Sequence, residues 1–202
     1  MKTGPKYKIA KRLGAPIFEK TQTQKFAVSE ARSARSKKRF SKPSDYKRQL
    51  LEKQKMRLSY GLSEHQFRRY VNEAIEKAEK PTVALFERLE RRLDNVLYRL
   101  GFAKTRRLSR QIVTHGHVTV NGRKLNVPSH KVEIGDVIAI RDGSKQKALF
   151  ASISNEFETT NVPPNWLTVD IKNLCGTVQA VPTFSAAESY FDPEQVIEYY
   201  SR

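Results

Sequence analysis

The chain has 202 residues, with 38 Lys and Arg against 21 Asp and Glu and a formal net charge of +17. This excess indicates a polyanionic partner, and no apolar run approaches the ~20 residues that a membrane-spanning helix needs, which disfavours a membrane. The single cysteine, Cys175, excludes an internal disulfide and any multi-cysteine zinc site, and it favours a reducing, cytosol-like compartment.

The charge is distributed unevenly along the chain. Residues 1–60 carry 18 Lys and Arg against four Asp and Glu, and residues 61–150 carry 18 against ten. Residues 151–202 carry only two against seven. A basic beginning and an acidic end predict one face for a polyanion and another for a different partner.

Residues 1–43 are rich in basic side chains but show no clear hydrophobic period, so they are predicted to form a basic N-terminal arm and no compact unit. Two interpretations stay open. The arm is either a disordered tail that keeps the protein soluble, or a segment that becomes ordered when its cations release counterions from RNA.

Residues 44–90 are predicted to form a helical domain. Ser44 can cap a helix with a strongly basic surface that ends near Ser59. Ser63 begins a capping box and a second helix, which ends near Glu79 and carries a regular apolar stripe.

The next hydrophobic period continues from Leu85 to Leu100 and ends at Gly101. Apolar residues recur there at intervals of three and four, which predicts one long amphipathic helix. Its charged residues, among them Arg91 and Arg92, are predicted to lie on the opposite, polar face.

Residues 91–152 are predicted to form a module of helices and a small antiparallel sheet. Thr105 is a good cap for a short helix. The pair Asn121-Gly122, flanked by alternating apolar residues, is a strong hairpin signal. A further strand is predicted within residues 132–140.

Residues 153–202 give weaker signals, with strands predicted at 166–169 and 177–181. Residues 193–200 form either a helix or a strand, because eight residues are too few for periodicity to decide. The segment is predicted to pack back on the helical domain. The fold class is therefore mixed α/β (α+β), a mainly helical domain with an inserted small module of helices packed on a short antiparallel sheet.

The helix that begins after Thr105 carries four side chains suited to phosphate in its first turns: Arg106, Arg107, Arg110 and Gln111. Cations at a helix N-terminus oppose the helix dipole, and an anionic ligand would remove that cost. Phosphate fits because guanidinium groups and the free backbone N–H groups of a first turn both bind it. The alternative is a helix face that is merely solvated.

No catalytic or metal centre can be identified from the residue pattern. His115 and His117 flank a glycine with no cysteine or carboxylate nearby, which makes a poor zinc site. They are better interpreted as rings that stack on or donate to RNA, with His115 at a helix end. No catalytic triad, phosphate-binding glycine loop or paired cysteine motif is present. We therefore predict no enzyme activity, no cofactor, no metal and no small-molecule substrate.

Four stretches of the chain closely resemble the family of bacterial-type small ribosomal subunit protein four. They are RRLDNVLYRLGFAKTRRLSRQIVTHGHVTVNGRKLNVPSHKVEIGDVI (91–138), GPKYKIAKRLG (4–14), SDYKRQLLEKQKMRLSYGLSEHQF (44–67) and EYYSR (198–202). The first is also similar to the RNA-binding module shared with some pseudouridine synthases and tyrosyl-tRNA synthetases. Some family members bind zinc through an N-terminal cysteine cluster, which this chain lacks, so the resemblance is to a zinc-free variant.

The resemblance implies a cytoplasmic structural constituent of the small ribosomal subunit. Such a protein binds the 5′ domain of the subunit's rRNA, nucleates assembly of the subunit body and contributes to translational accuracy. The implied partners are this rRNA, ribosomal protein five of the same subunit, and messenger RNA near the channel through which it enters. Two alternatives stay open: a free RNA-binding translational repressor, and an RNA-modifying enzyme that carries the module.

The same resemblance makes residues 44–90 a helical rRNA-binding domain and 91–152 an RNA-binding module. Combined with the basic surfaces, it implies a set of rRNA-binding residues. These are Lys6, Lys8, Arg12, Lys47, Arg48, Lys53, Lys55, Arg57, Tyr60, Arg92, Arg106, Arg107, Arg110, Gln111, His115, His117, Asn121, Arg123 and Lys124. Arg48 is also a candidate for the messenger side. Replacing Arg106 and Arg110 with Glu is expected to weaken rRNA binding severely and to leave the fold intact.

Overall fold

A computed structural model of the chain describes residues 4–36, 44–151, 163–185 and 189–201. The chain divides into two units. The helical unit comprises Met1–Leu85 and Phe184–Arg202, and the sheet unit comprises Phe86–Thr183. The mixed α/β class predicted from the sequence is confirmed. Within the described ranges, no helix is both long and apolar enough to cross a membrane.

The helical unit contains α1 (Lys6–Leu13), a 3₁₀ turn (Glu19–Thr21), α2 (Gln24–Ser36), α3 (Asp45–Ser59), α4 (Glu64–Lys77) and α10 (Pro193–Tyr200), and α5 (Pro81–Glu90) begins in it and ends in the sheet unit. The sheet unit contains α6 (Leu93–Arg99), α7 (Arg106–Thr114), β1 (Val118–Val120), β2 (Arg123–Leu125), β3 (Val137–Ile140), α8 (Asp142–Lys145), α9 (Ala148–Ala151), β4 (Leu167–Asp170) and β5 (Cys175–Val178).

The N-terminal arm differs from the prediction, because residues 4–36 form α1, the 3₁₀ turn and α2 around a small core of their own. Leu13, Ile17, Phe18 and Phe26 are buried together in this core, and the ring of Tyr7 packs 5.6 Å from that of Phe26. The apolar residues are too sparse along the sequence to give a period, and they meet only once the turn brings α1 and α2 together. The rest of the predicted arm, residues 37–43, lies outside the described residues.

The caps that the sequence predicts for α3 and α4 are confirmed. Ser44 Oγ accepts a hydrogen bond from the Lys47 N–H, and Ser63 Oγ accepts one from the Gln66 N–H. Each bond satisfies a backbone donor that a helix N-terminus would otherwise leave unpaired. The apolar stripe of α4 faces inward, and its members Phe67, Tyr70, Val71 and Ala74 are all buried.

The segment that could have been a helix or a strand is the helix α10, which packs on α3 and α4. Its start follows from Pro193 in the first turn and from Asp192, whose side chain accepts the Glu194 N–H. Gln49 on α3 donates to Glu198 at 2.8 Å. At least one acidic side chain of the C-terminal segment, Glu198, therefore bonds to α3 within the protein.

A buried lysine of α3 holds the aromatic end of α10. Lys53 Nζ lies 4.7 Å from the ring centroid of Tyr199 and 2.7 Å from Glu64 Oε1 on α4. Tyr200 donates its hydroxyl to the same carboxylate oxygen at 2.8 Å. One ammonium group, one carboxylate and two aromatic rings therefore connect three helices.

The single long helix predicted from Leu85 to Leu100 is wrong, because α5 ends at Glu90 and α6 begins at Leu93. Arg92 between them has an extended backbone. The Leu93 N–H donates to His130 O at 2.9 Å, outside any helix. The apolar period continues through the break, but these backbone bonds to a distant segment replace the helical ones.

Charged residues at this break are buried, contrary to the polar face that the sequence predicts. Glu90, Arg91 and Arg92 are between 1% and 5% exposed. Each has internal partners: Arg91 Nε donates to Val132 O at 2.7 Å, and Glu90 is paired with Arg99 at 2.9 Å. Burial is tolerated because every one of these charges is hydrogen bonded.

The sheet has five antiparallel strands in the order β2-β1-β3-β5-β4. The predicted hairpin between β1 and β2 is confirmed: Asn121 and Gly122 both have positive φ, 50° and 77°, as its two-residue turn requires. The core under the sheet includes Leu97, Ile112 and Val118.

The predicted boundary at residue 153 is too early. Strands β4 and β5 extend the module's own sheet, because β5 pairs with β3. The sheet unit therefore runs to Thr183, and only Phe184–Arg202 belongs with the helical unit. The sequence of a four-residue strand does not indicate which strand it pairs with, so the pairing of β5 with β3 could not be predicted.

We expect Glu64→Gln to lower the free energy of unfolding at pH 7 by about 1–2 kcal/mol. The buried Lys53 ammonium loses its carboxylate, but it keeps its aromatic neighbours, and Glu64 is itself partly exposed. Burial raises the pKa of Glu64, yet hydrogen bonds from Lys53 and Tyr200 and the charges of Lys53 and Arg57 together lower it below 4.5.

A carboxylate with a depressed pKa stabilises the fold above its unfolded-state pKa, and that contribution is lost as the pH falls through the folded-state pKa. The difference between Glu64→Gln and the unchanged protein should thus shrink below about pH 4. Urea unfolding at pH 7 and below pH 4 measures it. Glu73→Gln, which removes an exposed pair with Arg69, is the control. A difference that did not depend on pH would contradict the expectation.

Candidate nucleic-acid interface

Helix α7 presents one apolar and one polar face. Thr105 Oγ1 accepts the Leu108 N–H at 3.1 Å and so begins the helix as predicted. Ile112 and Val113 are buried in the core of the sheet unit. The opposite face exposes three residues at spacings of four: Arg107, Gln111 and His115. This face is a rigid row of hydrogen-bonding side chains.

A buried carboxylate orients the neighbouring arginine of α7. Asp94 is 3% exposed and accepts from Arg92 at 3.0 and 2.9 Å. Its Oδ2 also accepts from Arg110 Nε and Nη2, each at 2.7 Å. Ser109 donates to the backbone carbonyl of Asp94. The carboxylate therefore binds two guanidinium groups and fixes α7 against α6.

A second polar network holds Arg106. Its Nε donates to Asn95 Oδ1 at 2.8 Å, and its guanidinium lies 4.4 Å from the ring centroid of Tyr98. Asn95 in turn donates to Glu90, which pairs with Arg99. Asparagine, glutamate and arginine side chains thus form a chain of bonds from α5 through α6 to α7.

These networks change the interpretation of the first turns of α7. Arg106 and Arg110 are partly buried and have internal partners, whereas Arg107 is exposed. The cations at this helix N-terminus are balanced in part by Asp94, a cause that the sequence did not reveal. Charge reversal would place one carboxylate beside Asp94, at Arg110, and another against the Asn95 side-chain carbonyl oxygen, at Arg106, so it is not expected to leave the fold intact. Arg92, 2% exposed, cannot be the direct RNA contact that was predicted.

The hairpin tip divides into structural and exposed side chains. Asn121 Nδ2 donates to Asp136 at 2.7 Å, and Asn121 Oδ1 accepts the Val137 N–H at 2.9 Å, so this side chain is used within the sheet. Arg123 and Lys124 are exposed. Because their side chains alternate across the strand, they point to opposite faces of β2.

The C-terminal end of α7 meets the hairpin and the segment after β3. Lys124 lies against Gly116, where a Cβ would collide with the lysine side chain. His117 Nδ1 is 2.9 Å from Ser144 Oγ, and the rings of His115 and His117 are 6.2 Å apart. The two histidines, predicted as RNA contacts, therefore lie beside the cationic hairpin.

Sequence reasoning missed two cations at this place, Arg141 and Lys147. Both are exposed, and the Arg141 N–H donates to His117 O at 2.9 Å. Burial lowers the pKa of His117, and electrostatic interaction with Lys147, His115, Arg141 and Lys124 lowers it further. The sequence offered only one signal for them, namely that basic residues follow the strand predicted up to Ile140. The hydrophobic periodicity that indicated the earlier elements ends there.

The basic face predicted for α3 is only partly available. Lys47 and Arg48 are exposed at its start. Lys55 pairs with Glu52 at 2.7 Å, and Arg57 donates to Gln54 at the same distance, so both have partners on their own helix.

Two residues predicted on this face are in the core, which excludes direct contact with RNA. Lys53 is 5% exposed and bound to Glu64. Tyr60 is 3% exposed, with its ring 6.1 Å from that of Phe191. Both keep α3 in contact with its neighbours. The sequence could not show this, because a helix with many cations gives no sign of which one faces inward.

On α1, Lys8 and Arg12 are exposed, and Lys6 Nζ lies 5.4 Å from the ring centroid of Phe18. The two exposed residues are four apart in sequence and share one side of the helix. Among the residues that the structure describes, no group of three or more His, Cys, Asp and Glu could hold a metal ion.

Two family models match the chain. Residues 1–91 match the Ribosomal protein S4/S9 N-terminal domain, and residues 91–138 match the S4 domain. Known proteins are similar along nearly the whole length. The Small ribosomal subunit protein uS4 of Herpetosiphon aurantiacus is 40% identical, covering 99% of this chain and 98% of that protein. Proteins of the same name are 43% identical in a Roseiflexus species (98% of each chain) and 42% identical in Persephonella marina (98% of this chain, 97% of that protein).

We expect Asp94→Asn to lower the free energy of unfolding by about 3–5 kcal/mol, because it leaves the buried Arg92 and the oriented Arg110 without their carboxylate. Urea unfolding followed by circular dichroism measures the change. Asp142→Asn is the matched control, since it removes an exposed carboxylate paired with Lys145 in the same unit and should barely alter stability. Equal effects of the two substitutions would show that the Asp94 network does not hold the sheet unit together.

Proposed function

The chain belongs to the family of small ribosomal subunit protein uS4, and on this basis we propose that it is a structural constituent of the small ribosomal subunit, binds small-subunit rRNA and catalyses no reaction. The observation that carries the proposal is the exposed row Arg107, Gln111 and His115 on α7. It lies on a helix that buried ion pairs hold in place. The uS4 name of the relatives supports the ribosomal assignment.

The proposed mechanism is recognition of RNA shape through its backbone. Side chains at spacings of four along a helix lie about 6 Å apart, close to the spacing of successive phosphates. Guanidinium and amide groups on a rigid helix can bind phosphate oxygens without adjusting to the bases. Such contacts fix position and orientation and read few bases directly.

A second surface of the same kind is proposed on the helical unit, and it comprises Lys8, Arg12, Lys47 and Arg48. All four are exposed, and the segments that carry them match the family model for the N-terminal domain. Two rigid basic surfaces on one chain suit an RNA in which several helices meet. We propose the 5′ domain of small-subunit rRNA as this ligand, with nucleation of subunit assembly as the consequence.

Further partners are proposed on the resemblance alone. They are ribosomal protein five of the small subunit and messenger RNA near the channel through which it enters, with Arg48 as the candidate on the messenger side. A contribution to translational accuracy and a cytoplasmic location belong to the same proposal. Release of ribosomal protein five from subunits assembled with an altered copy of this chain would test the protein contact.

The central test is binding of the purified protein to a 5′-domain rRNA fragment and to a scrambled RNA of equal length, titrated across salt. Both affinities should fall steeply as salt rises, because each phosphate contact releases counterions. A preference for the fragment that persists at about 0.15 M salt is expected for recognition of shape. Equal affinity for the two RNAs would overturn the proposal of structured recognition.

We expect Arg107→Gln to reduce the slope of log affinity against log salt by about 1 and to leave thermal stability unchanged, since this side chain is exposed. Arg69→Gln, on the exposed side of α4, is the control and should change the slope much less. An unchanged slope for Arg107→Gln would remove the α7 face from the interface.

Co-sedimentation distinguishes a ribosomal constituent from a free repressor. The proposed constituent travels with small-subunit particles in a sucrose gradient and leaves them only at high salt. A protein found entirely in the soluble fraction would contradict the ribosomal assignment even if it bound rRNA in isolation.

A further inference from the structure

Five basic or titratable residues lie on segments of the sheet unit that meet at the C-terminal end of α7. We call them the His117 cluster: His115, His117, Lys124, Arg141 and Lys147. Lys124 comes from β2, and Arg141 and Lys147 flank α8. The backbone N–H of Arg141 donates to His117 O, and a second hydrogen bond joins His117 Nδ1 and Ser144 Oγ; each is 2.9 Å long.

The cluster differs from the other cationic groups of the sheet unit in its charge balance. Arg91, Arg92, Arg99 and Arg110 each bind a carboxylate within the unit. Around His117, by contrast, lie three cations: Lys124 against Gly116, Arg141, whose backbone N–H donates to His117 O at 2.9 Å, and Lys147, whose backbone N–H donates to Ser144 O at 3.0 Å. Like charges that lie close together repel each other. An anion bound from outside would remove this repulsion.

The neighbouring uncharged and acidic groups fit the same interpretation. The ring of Phe150 packs edge-on 5.9 Å from that of His117 and shields one side of the imidazole. Ser144 is buried and occupies the Nδ1 side. The nearest acidic residue in sequence, Asp142, pairs with Lys145 at 2.7 Å. The anion that suits this group of donors is a phosphate, which accepts from ammonium, guanidinium and imidazolium groups alike.

We infer that the His117 cluster is a binding site for a backbone phosphate of RNA, and that His117 takes up a proton from solvent when that phosphate binds. This inference rests on the proposed rRNA-binding function and deepens it: to His115, His117 and Lys124 it adds two further cations, and it assigns the uptake of a proton to His117. The site includes Arg141 and Lys147, which lie outside the segment of the chain that matches the S4 domain model.

The proton uptake follows from the charges around the ring. In the free protein, burial and the neighbouring cations hold the pKa of His117 below its ordinary value of 6.5, so the ring is neutral at pH 7. A bound phosphate supplies negative charge and reverses the effect of the neighbours. The affinity that protonated His117 adds is therefore fully present below the free-state pKa and is lost as the pH rises through the bound-state pKa.

The first experiment compares two double substitutions in the full chain. Arg141→Gln with Lys147→Gln removes two charges of the cluster. Lys131→Gln with Lys172→Gln removes two exposed charges from the same unit outside it. We expect the first pair to reduce the salt slope of rRNA binding by about 2, with a loss of affinity of about tenfold or more at low salt. We expect a clearly smaller change for the second. Equal changes for the two pairs would overturn the site.

The second experiment measures the pKa of His117 by NMR of its imidazole, with and without the rRNA fragment. We expect RNA to raise this pKa. We expect Arg141→Gln with Lys147→Gln to raise it in the free protein while weakening RNA binding. These opposite directions are not produced by a merely structural defect. A pKa unchanged by RNA would overturn the proton uptake.

The pH dependence of affinity gives a third test. At constant ionic strength, one proton taken up per complex makes affinity rise by up to about tenfold for each unit of decrease in pH near 6.5. His117→Asn should flatten this dependence, and His65→Asn, on the exposed side of α4, should preserve it. A profile that is flat in the unchanged protein, with RNA still bound, would refute this inference alone.

Inorganic phosphate, titrated in the same NMR experiment, separates the two sources of the anion. A shift of the His117 signals at millimolar phosphate, equal to that given by RNA, would show a general anion site and overturn the assignment to the RNA backbone. A weak response to phosphate with a strong response to RNA is the expected result. Absence of binding to any RNA at any pH would instead refute the proposed function.

Discussion

The sheet unit depends on a single carboxylate placed between two guanidinium groups. Asp94 binds Arg92 and Arg110, and it lies where the chain leaves α5 and enters α6. Burying this carboxylate alone would be prohibitive, and burying Arg92 without it equally so. Their pairing allows charged side chains to be buried at this place, and it fixes the position of α7 through Arg110. The exposed row of α7 is thereby held by bonds beneath it, so its shape exists before any RNA is present.

The cations of this protein fall into two groups with different work. One group, including Lys53, Arg91 and Arg92, is buried, and each of its charges contacts a carboxylate, a carbonyl or an aromatic ring of the protein. The other group remains at the surface and accounts for affinity toward a polyanion. The net charge therefore overstates the binding surface. The number of cations available to a polyanion is the total less those that are buried with partners inside the protein.

The sequence was sufficient where short-range chemistry decides structure. The caps at Ser44, Ser63 and Thr105 and the Asn-Gly turn have local causes, and they appear as predicted. It was insufficient where the structure depends on hydrogen bonds to backbone that is distant in the sequence. The apolar period through α5 and α6 hides a break that exists only because Leu93 bonds to His130. The same reason applies to the candidate RNA-binding residues: the sequence does not distinguish exposed Arg107 from buried Arg92, because only their tertiary partners differ.

The helical unit is assembled from two segments, Met1–Leu85 and Phe184–Arg202, which precede and follow the sheet unit in the sequence. During synthesis on a translating ribosome, the sheet unit emerges whole before α10 does. Until then Lys53 and Glu64 lack the tyrosines that complete their contacts. A chain interrupted before α10 would therefore contain a complete sheet unit and an incomplete helical unit. The helical unit therefore gains the contacts of Lys53 and Glu64 with Tyr199 and Tyr200 only after the whole sheet unit has been synthesised.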